Sequence, residues 1–348
     1  MKAQNELQGE ETIANAITLD ILNSNFKLPP MPANGSKLMA LIQQPIDKID
    51  IDSFAKLIDS DPGLFSMILQ LANSIYFKGI DEIFSLRAAI TRVGLQETIN
   101  FVNLYFFQRI LPKIPEIEGF STKDYWAFSW ACATAARRLG HPNLNMKALP
   151  GELYIAGLLH GIGKLIFAIH YPVEFSKCIQ KAAELKQPLH TIELDEFGTT
   201  DTLIASKLMT IWNIPSRIRA GVEFYQDPGS APEKCRDIAA LLQSAYSIAA
   251  MSGIGINGDG GVLTLESTWI AGQSGVLLSK KRIRDNIVQE ILESLEKKSE
   301  SITGVIPPKR DVLPDSKIPV DNHKNSSVRT QPKTDNKGLL AWIKSLFG

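Results

Sequence analysis

The segment AGLLHGIGKLIF, residues 156–167, places one histidine and one lysine inside an otherwise apolar stretch. His160 follows one apolar run and precedes another, and Gly161 and Gly163 lie between them. An imidazole in such surroundings can bind a metal, transfer a proton or hold two helices in register through a hydrogen bond. A catalytic metal needs about three protein ligands. The chemistry open to His160 therefore depends on which other side chains the fold brings near it.

Helices are the elements predicted to position His160. Apolar residues recur at helical spacing along most of the chain, and strand patterns are weak. Asp61 and Pro62 predict a helix start, because Asp caps free amides and Pro fits the first helical position. We predict an all-α protein, an irregular orthogonal multi-helix bundle. The predicted helices cover residues 36–43, 52–58, 61–72, 85–94, 96–110, 125–139, 152–159, 164–170, 172–186, 201–212, 214–225, 238–251 and 281–298.

The composition excludes several classes of protein. Basic and acidic residues are balanced at 37 each among 348, which argues against a nucleic-acid partner because counterion release needs a basic surface. Three widely spaced cysteines without a CxxC pair exclude a disulfide scaffold and suit a reducing cytosol. No apolar signal-peptide core is evident, so we expect a cytoplasmic protein. The longest apolar stretch, 153–169, contains His, Lys and Gly and indicates a buried helix pair.

Changes in composition divide the chain into four parts. Residues 1–24 are polar and read as a loose leader, and residues 25–297 form the helical domain. Residues 298–337 are rich in Pro, Ser, Asp, Asn and Lys and almost lack aromatic residues. Such a segment buries too little apolar area to offset its ordering entropy, so we predict a disordered linker. Residues 338–348 are apolar again and predict a short amphipathic helix.

Several motifs in order resemble the HDOD family, the HD-related output domains of bacterial signalling. AGLLHGIGKL resembles the HD motif, in which a helix ends in His-Asp followed by x-Gly-Lys. Four further segments resemble HDOD motifs: LPPMP (28–32), IDSDPGLFSMILQLANSIYF (58–77), SLRAAITRVG (85–94) and TIWNIPSRIRAGVEFYQDP (210–228). The resemblance extends over roughly residues 25–297. It gives family-motif status, structural or in an interaction, to Asp61, Pro62, Asn73, Ser74, Trp212 and Pro215.

The resemblance also implies where a metal site would lie, and the sequence departs from it there. Position 161 is Gly where metal-binding relatives have Asp, so no carboxylate can bridge a metal there. Asp201 stands where the family often has His, and Tyr225 and Gln226 replace its His-His pair. One imidazole without these partners holds a divalent ion poorly. We therefore predict no metal, no other cofactor and no catalytic residue.

A structural role is predicted for the residues of the degenerate motif. His160 is expected to hydrogen-bond a nearby group and to hold two helices in register. Gly161 and Gly163 are expected to adopt positive φ in a tight turn. Lys164 is read either as a helix-start residue or as a surface charge with a buried stem. Asn73 and Ser74 are read as a cap or a bridge between elements more readily than as ligand contacts.

The sequence leaves three alternative functions open. The first is a non-catalytic signalling module that binds a protein partner or a small effector. The second is a metal-dependent phosphohydrolase with unusual ligands, namely Asp201, Glu196, His160 and His170. The third is a peripheral membrane adaptor acting through the terminal helix. GIGING (253–258) fits the dinucleotide pattern G-x-G-x-x-G, but it follows a predicted helix and not a strand, so no dinucleotide site is predicted.

The terminal segment GLLAWIKSLFG is the most distinct candidate for an interaction. Its apolar residues fall on one side of a helix, and a helix this short is marginal alone in water. The single Lys344 weakens the membrane reading, because interfacial helices usually carry a cationic face. A groove on a signalling partner is favoured over a groove on its own domain. The predicted anchors are Leu339, Leu340, Trp342, Ile343, Leu346 and Phe347.

Deletion of residues 338–348 tests this reading. We expect the truncated protein to keep the melting temperature of the folded domain. In parallel pull-downs with full-length and truncated protein as bait, the truncated bait should fail to capture one protein that the full-length bait captures. An unchanged set of captured proteins, or a large loss of domain stability, would show that the segment is no partner anchor.

Overall fold

The computed structural model describes residues 35, 37, 46–74, 77, 81–140, 146–255, 258–261, 264–274 and 276–302. The predicted leader, the LPPMP segment and the terminal helix with its six anchors lie outside the described residues. So do His141, His323 and all of the predicted linker after Ile302.

Helices form nearly all regular structure in the described part of the chain. Short 3-10 turns accompany them, and the sole β-type pairing there is an isolated bridge between Ile117 and Phe120. The all-α class predicted from the sequence is confirmed. The helices are α1 (Ile51–Asp59), α2 (Pro62–Ala72), α3 (Leu86–Val93), α4 (Leu95–Ile110), α5 (Thr122–Leu139), α6 (Pro150–Leu159), α7 (Ile162–His170), α8 (Pro172–Leu185), α9 (Leu189–Phe197), α10 (Asp201–Ile211), α11 (Ser216–Phe224), α12 (Glu233–Ser252) and α13 (Lys281–Ile302).

Helix α2 begins where the sequence predicts. The Asp61 carboxylate accepts hydrogen bonds from the amides of Gly63 and Leu64, and Pro62 occupies the first helical position. The same carboxylate accepts a hydrogen bond from the Tyr105 hydroxyl at 3.2 Å. Asp61 therefore caps α2 and also connects it to α4.

Asn73 bridges two parts of the chain. Its side-chain amide donates to the carbonyl of Ile83 at 2.7 Å, and its Oδ1 accepts from the Ile83 amide at 2.8 Å. Such a two-way clamp fixes the segment that leads into α3. The neighbouring Ser74 hydroxyl is buried and has no hydrogen-bond partner among the described residues.

The core forms around α5 and α6. Small residues allow close approach: a Cβ on Gly157 would lie 2.5 Å from the Cα of Ala133. Helices α11 and α12 pack on this pair, and Pro215 precedes the first residue of α11. Trp212 is buried at the end of α10 and contacts the ring of Phe107, with centroids 5.7 Å apart.

The stretch Pro150–His170 is apolar and long enough to cross a membrane by composition alone, but 89% of its apolar window is buried inside the fold. It consists of α6 and α7, joined by a turn at His160 and Gly161. The described structure therefore agrees with the predicted buried helix pair.

The predicted positive φ at Gly161 and Gly163 is wrong. Gly161 has φ −106°, and Gly163 lies inside α7 without a positive φ. Their lack of a side chain matters for space instead. A Cβ on Gly163 would overlap the backbone carbonyl of Asp201, so this glycine lets α7 approach the start of α10.

Helix α9 is absent from the sequence-based prediction. Its buried face consists of Leu189, Ile192, Glu193 and Phe197. A glutamate at a core position breaks the apolar period, so the pattern reads as loop. The last helix, α13, also continues to Ile302, four residues beyond its predicted end at Lys298.

Gly163→Ala should destabilise the fold, because the new methyl group meets backbone and not a flexible side chain. We expect a loss of about 1–3 kcal/mol in urea unfolding, as is typical for overpacking. Gly272→Ala is the matched control, since no atom lies within 4 Å of the added Cβ. Equal stability of the two variants would contradict the close packing of α7 on α10.

Candidate functional site

His160 lies at the end of α6 and is 1% exposed. Its Nδ1–H donates to the carbonyl of Gly157 at 2.7 Å. Three aromatic rings surround the imidazole, with centroid distances of 5.9 Å to Phe128, 5.7 Å to Tyr225 and 5.5 Å to Tyr246. The Nε2 atom is buried without a hydrogen-bond partner in the described part of the chain. The ring is thus packed as a core group.

The His160 imidazole is neutral at physiological pH. Burial lowers its pKa to about 4, and the nearby Lys164 ammonium acts in the same direction. The hydrogen bond to Gly157 opposes this shift but is the weaker effect. Neutral imidazole suits the aromatic enclosure, because a buried charge without a partner is costly.

Lys164 lies on α7, and its side chain is only 2% exposed. Its Nζ is 3.4 Å from Oδ2 of Asp259. Burial alone would lower the pKa of Lys164, but neighbouring carboxylates, Asp259 foremost, outweigh burial and raise that pKa. Lys164 lies in the first turn of α7, as its interpretation as a helix-start residue expects, but the alternative of a surface charge is wrong because the side chain is buried in the core.

The Asp259 carboxylate is contacted by donor groups from three helices. Besides the Lys164 ammonium from α7, its Oδ2 accepts a hydrogen bond from the Tyr246 hydroxyl of α12. Its Oδ1 accepts from the backbone amide of Leu189 at 2.6 Å, at the start of α9. The carboxylate is thus anchored by a charge, a hydroxyl and an amide, as a buried anion requires.

Glu193 and Asp201 form a second acidic element beside Lys164. Both side chains are fully buried, and the amide of Asp201 donates to Oε2 of Glu193 at 2.8 Å. Burial raises the pKa of Glu193 well above its usual range, and the Asp201 charge raises it further. Burial also raises the pKa of Asp201, but Lys164 opposes that rise. Burial thus favours the protonated form of both carboxyl groups, and Lys164 favours the ionised form of each.

Gly161 borders this cluster. A Cβ at that position would lie 3.3 Å from Cε2 of Tyr125, 3.7 Å from Cδ of Lys164 and 3.9 Å from Oδ2 of Asp201. The residue that lacks a side chain therefore faces the space between the lysine and the aspartate. Tyr125 is fully buried, and burial raises the pKa of its hydroxyl.

Three glycines in the segment after α12 allow the backbone that carries Asp259 to pass close to neighbouring helices. Gly255 has φ +67°, and a Cβ there would overlap the backbone carbonyl of Asp124. A Cβ on Gly260 would overlap the carbonyl of Ala182, and one on Gly261 would lie 2.9 Å from the carbonyl of Lys186. The glycines after α12 thus allow the chain to pass close to α5 and α8, a role unrelated to phosphate binding.

The structure brings together most of the predicted motif positions. His160, Gly161, Lys164, Asp201 and Tyr225 surround one buried centre, as their contacts above show, and Gly163 provides the contact of α7 with α10. Gln226 lies at its edge: its side-chain amide donates to the Tyr225 hydroxyl at 3.0 Å.

Two of the four alternative metal ligands lie elsewhere. Glu196 is at the surface and pairs with Lys181 at 2.5 Å. His170 is exposed at the far end of α7, on the rim of a separate cavity of about 430 Å³. The ligand set of Asp201, Glu196, His160 and His170 is therefore not assembled by this fold.

Sequence reasoning missed Glu193, Asp259, Tyr125, Tyr246 and His190. Asp259 lies 95 positions from Lys164, so no local pattern joins them. His190, on α9, has a buried Nδ1 without a partner among the described residues, and burial lowers its pKa. The sequence does place a lysine within an apolar helix. A buried ammonium needs an anionic partner, so this lysine indicates that an acidic side chain lies nearby in the core.

The residues present do not fit the metal that the HD superfamily implies. The described residues contain no group of three or more His, Cys, Asp or Glu side chains arranged to hold a metal ion. Position 161 offers no carboxylate, and Lys164 places a positive charge among the acidic side chains that remain. A divalent ion beside that ammonium would be repelled.

Comparison with known proteins identifies the family. The family model of the HDOD domain matches residues 28–228, more than half of the chain. The chain belongs to the HDOD family. This HDOD chain is 24% identical over 240 residues to an uncharacterized protein of Treponema pallidum (strain Nichols), covering 69% of the chain and 45% of the relative. It thus spans less than half of that relative's length.

Solved structures share the fold. An HDOD domain protein of unknown function from Geobacter sulfurreducens has a TM-score of 0.65 at 22% identity, covering 82% of this chain and 98% of that one. A protein of Marinobacter aquaeolei VT8, provisionally named a signal transduction protein, gives 0.64 at 20% identity, with 84% and 64% covered. A provisionally named phosphohydrolase of Shewanella amazonensis SB2B gives 0.57 at 21% identity, with 82% and 95% covered.

Acidification tests the burial of neutral His160. Because its folded pKa of about 4 lies below the unfolded value of 6.5, its contribution is full above pH 6.5 and is lost as the pH falls towards 4. His160→Gln keeps a donor for Gly157 but does not titrate. The stability difference between wild type and this variant should shrink by about 3 kcal/mol between pH 7 and pH 4.

His170→Gln is the control, because His170 is exposed at the other end of the same region and should give a smaller change. Unfolding midpoints in urea at each pH provide the measurement. A difference between wild type and His160→Gln that does not vary with pH would contradict a buried neutral imidazole.

Proposed function

We propose that this HDOD chain is a non-catalytic regulatory module that acts in signal transduction by binding a protein partner. The observation that carries the proposal is the closed centre of the domain. The side chains of His160, Lys164 and Asp201 are 1%, 2% and 0% exposed, so no substrate reaches them. Family membership and a structural neighbour provisionally named for signal transduction support the same function.

The composition of the centre also argues against phosphoester hydrolysis. Metal-dependent hydrolysis needs a metal with an open position for water and substrate. Here the imidazole that would begin the ligand set is enclosed by Phe128, Tyr225 and Tyr246. The remaining carboxylates face Lys164. The carboxylates and the ammonium stabilise one another inside the protein, which leaves the site without a reactive position.

A partner would then bind exposed residues on the surface of the domain or in the terminal segment. We propose residues 338–348 as one contact and the region around Phe84, whose side chain is 74% exposed, as a second. An exposed aromatic ring near the start of α3 is the kind of anchor that interfaces favour. The balanced charge favours a protein over a nucleic acid. We also propose a cytoplasmic location, with membrane contact only through the terminal segment.

A metal-dependent phosphohydrolase is the second candidate. One structural neighbour with a TM-score of 0.57 is provisionally named a phosphohydrolase. The candidate requires a carboxylate that position 161 does not supply.

Gly161→Asp distinguishes the two functions. The new carboxylate would enter the space between Lys164 and Asp201 and pair with the ammonium, so we expect no metal-dependent hydrolysis of bis(p-nitrophenyl) phosphate with Mn²⁺ or Fe²⁺. Gly161→Ala is the matched control for the added bulk. Metal-dependent turnover by wild type would overturn the non-catalytic proposal, and turnover by Gly161→Asp well above Gly161→Ala would show that a single carboxylate restores the site.

A further inference from the structure

We propose that the Lys164 ammonium is a built-in cation that holds the carboxylates of this centre together without any added ion. The proposal concerns how the centre is stabilised, and it goes beyond the assignment of a non-catalytic role. It rests on three observations: the position of the ammonium among anions, the number of elements that it joins, and the space left by Gly161.

The ammonium lies among three acidic side chains. Asp259 is in direct contact, with 3.4 Å between Nζ and Oδ2. Asp201 and Glu193 are the next strongest influences on its charge. The Asp201 carboxyl group is buried, and a side-chain hydrogen bond with Glu193 favours its ionised form, but the Lys164 ammonium favours that form more strongly.

The cation joins parts of the chain that are distant in sequence. Lys164 is on α7, Asp201 begins α10, and Glu193 is on α9. Asp259 lies in the segment 258–261, and through Tyr246 and Leu189 it also connects α12 and the start of α9. One positive charge is thus shared by four elements, as in a structural metal site.

Position 161 leaves the room that this arrangement needs. The Cβ of any other residue would lie within 4 Å of both Cδ of Lys164 and Oδ2 of Asp201. A larger side chain would enter the gap across which the two charges interact. The glycine at position 161 therefore leaves the space between the ammonium and Asp201 open.

The proposal predicts a characteristic pattern of rescue. Lys164→Met removes the charge and keeps the length, so Asp201 and Asp259 remain buried and uncompensated. We expect the melting temperature to fall by roughly 10 °C. Removing a negative charge as well, in Lys164→Met/Asp259→Asn or Lys164→Met/Asp201→Asn, should raise the melting temperature above that of Lys164→Met.

Lys181→Met is the matched control, because it breaks the exposed pair with Glu196 and should lower the melting temperature by about 2 °C or less. Wild-type protein should melt at the same temperature in EDTA, Mn²⁺ or Zn²⁺. A double variant less stable than Lys164→Met would overturn the proposal. Decreases in melting temperature that add up would mean that the removed carboxylate and the removed ammonium do not balance each other's charge. A wild-type melting temperature that falls on chelation would overturn it too.

A second comparison keeps the test decisive if Lys164→Met does not fold. Asp259→Asn should lower the melting temperature more than Asp201→Asn, because Asp259 holds the ammonium, Tyr246 and the Leu189 amide. With Asp201→Asn, Lys164 still keeps one carboxylate partner. The reverse order would contradict the central place of the Lys164–Asp259 pair.

Discussion

The buried charge of Lys164, in the first turn of an apolar helix, is the constraint on which the rest of this domain depends. Lys164 cannot stay ionised in the core without anions, and the chain supplies them from three directions. The need of Lys164 for a buried anion explains why Asp259 is held by Tyr246 and Leu189. It also explains why glycines let the segment before Asp259 approach α5 so closely. It also explains a helix, α9, whose buried face includes a glutamate.

The sequence predicts the parts of the structure that depend on local rules. The Asp61 cap of α2, the clamp made by Asn73 and the buried helix pair on either side of His160 follow from residue types over a few positions. The cluster could not be predicted in this way. Its central contact joins residues 95 positions apart, and Glu193 interrupts the apolar period that would have indicated α9.

The HDOD domain described here retains the helical frame of its superfamily and fills its centre with its own side chains. Aromatic rings enclose the imidazole, and the Lys164 ammonium lies among the buried carboxyl groups of Asp259, Asp201 and Glu193. With the centre closed in this manner, the proposed function assigns recognition to the outer faces of the helices. This physical reading underlies the proposed role in signalling through protein contacts.

The most direct test of a centre closed by an internal cation is the metal content of the full-length protein. The protein is purified without chelators or an affinity metal, dialysed, and analysed by inductively coupled plasma mass spectrometry for Mn, Fe, Co, Ni and Zn. The account predicts far less than one equivalent of any metal per chain. About one equivalent of a divalent metal that survives dialysis would contradict it.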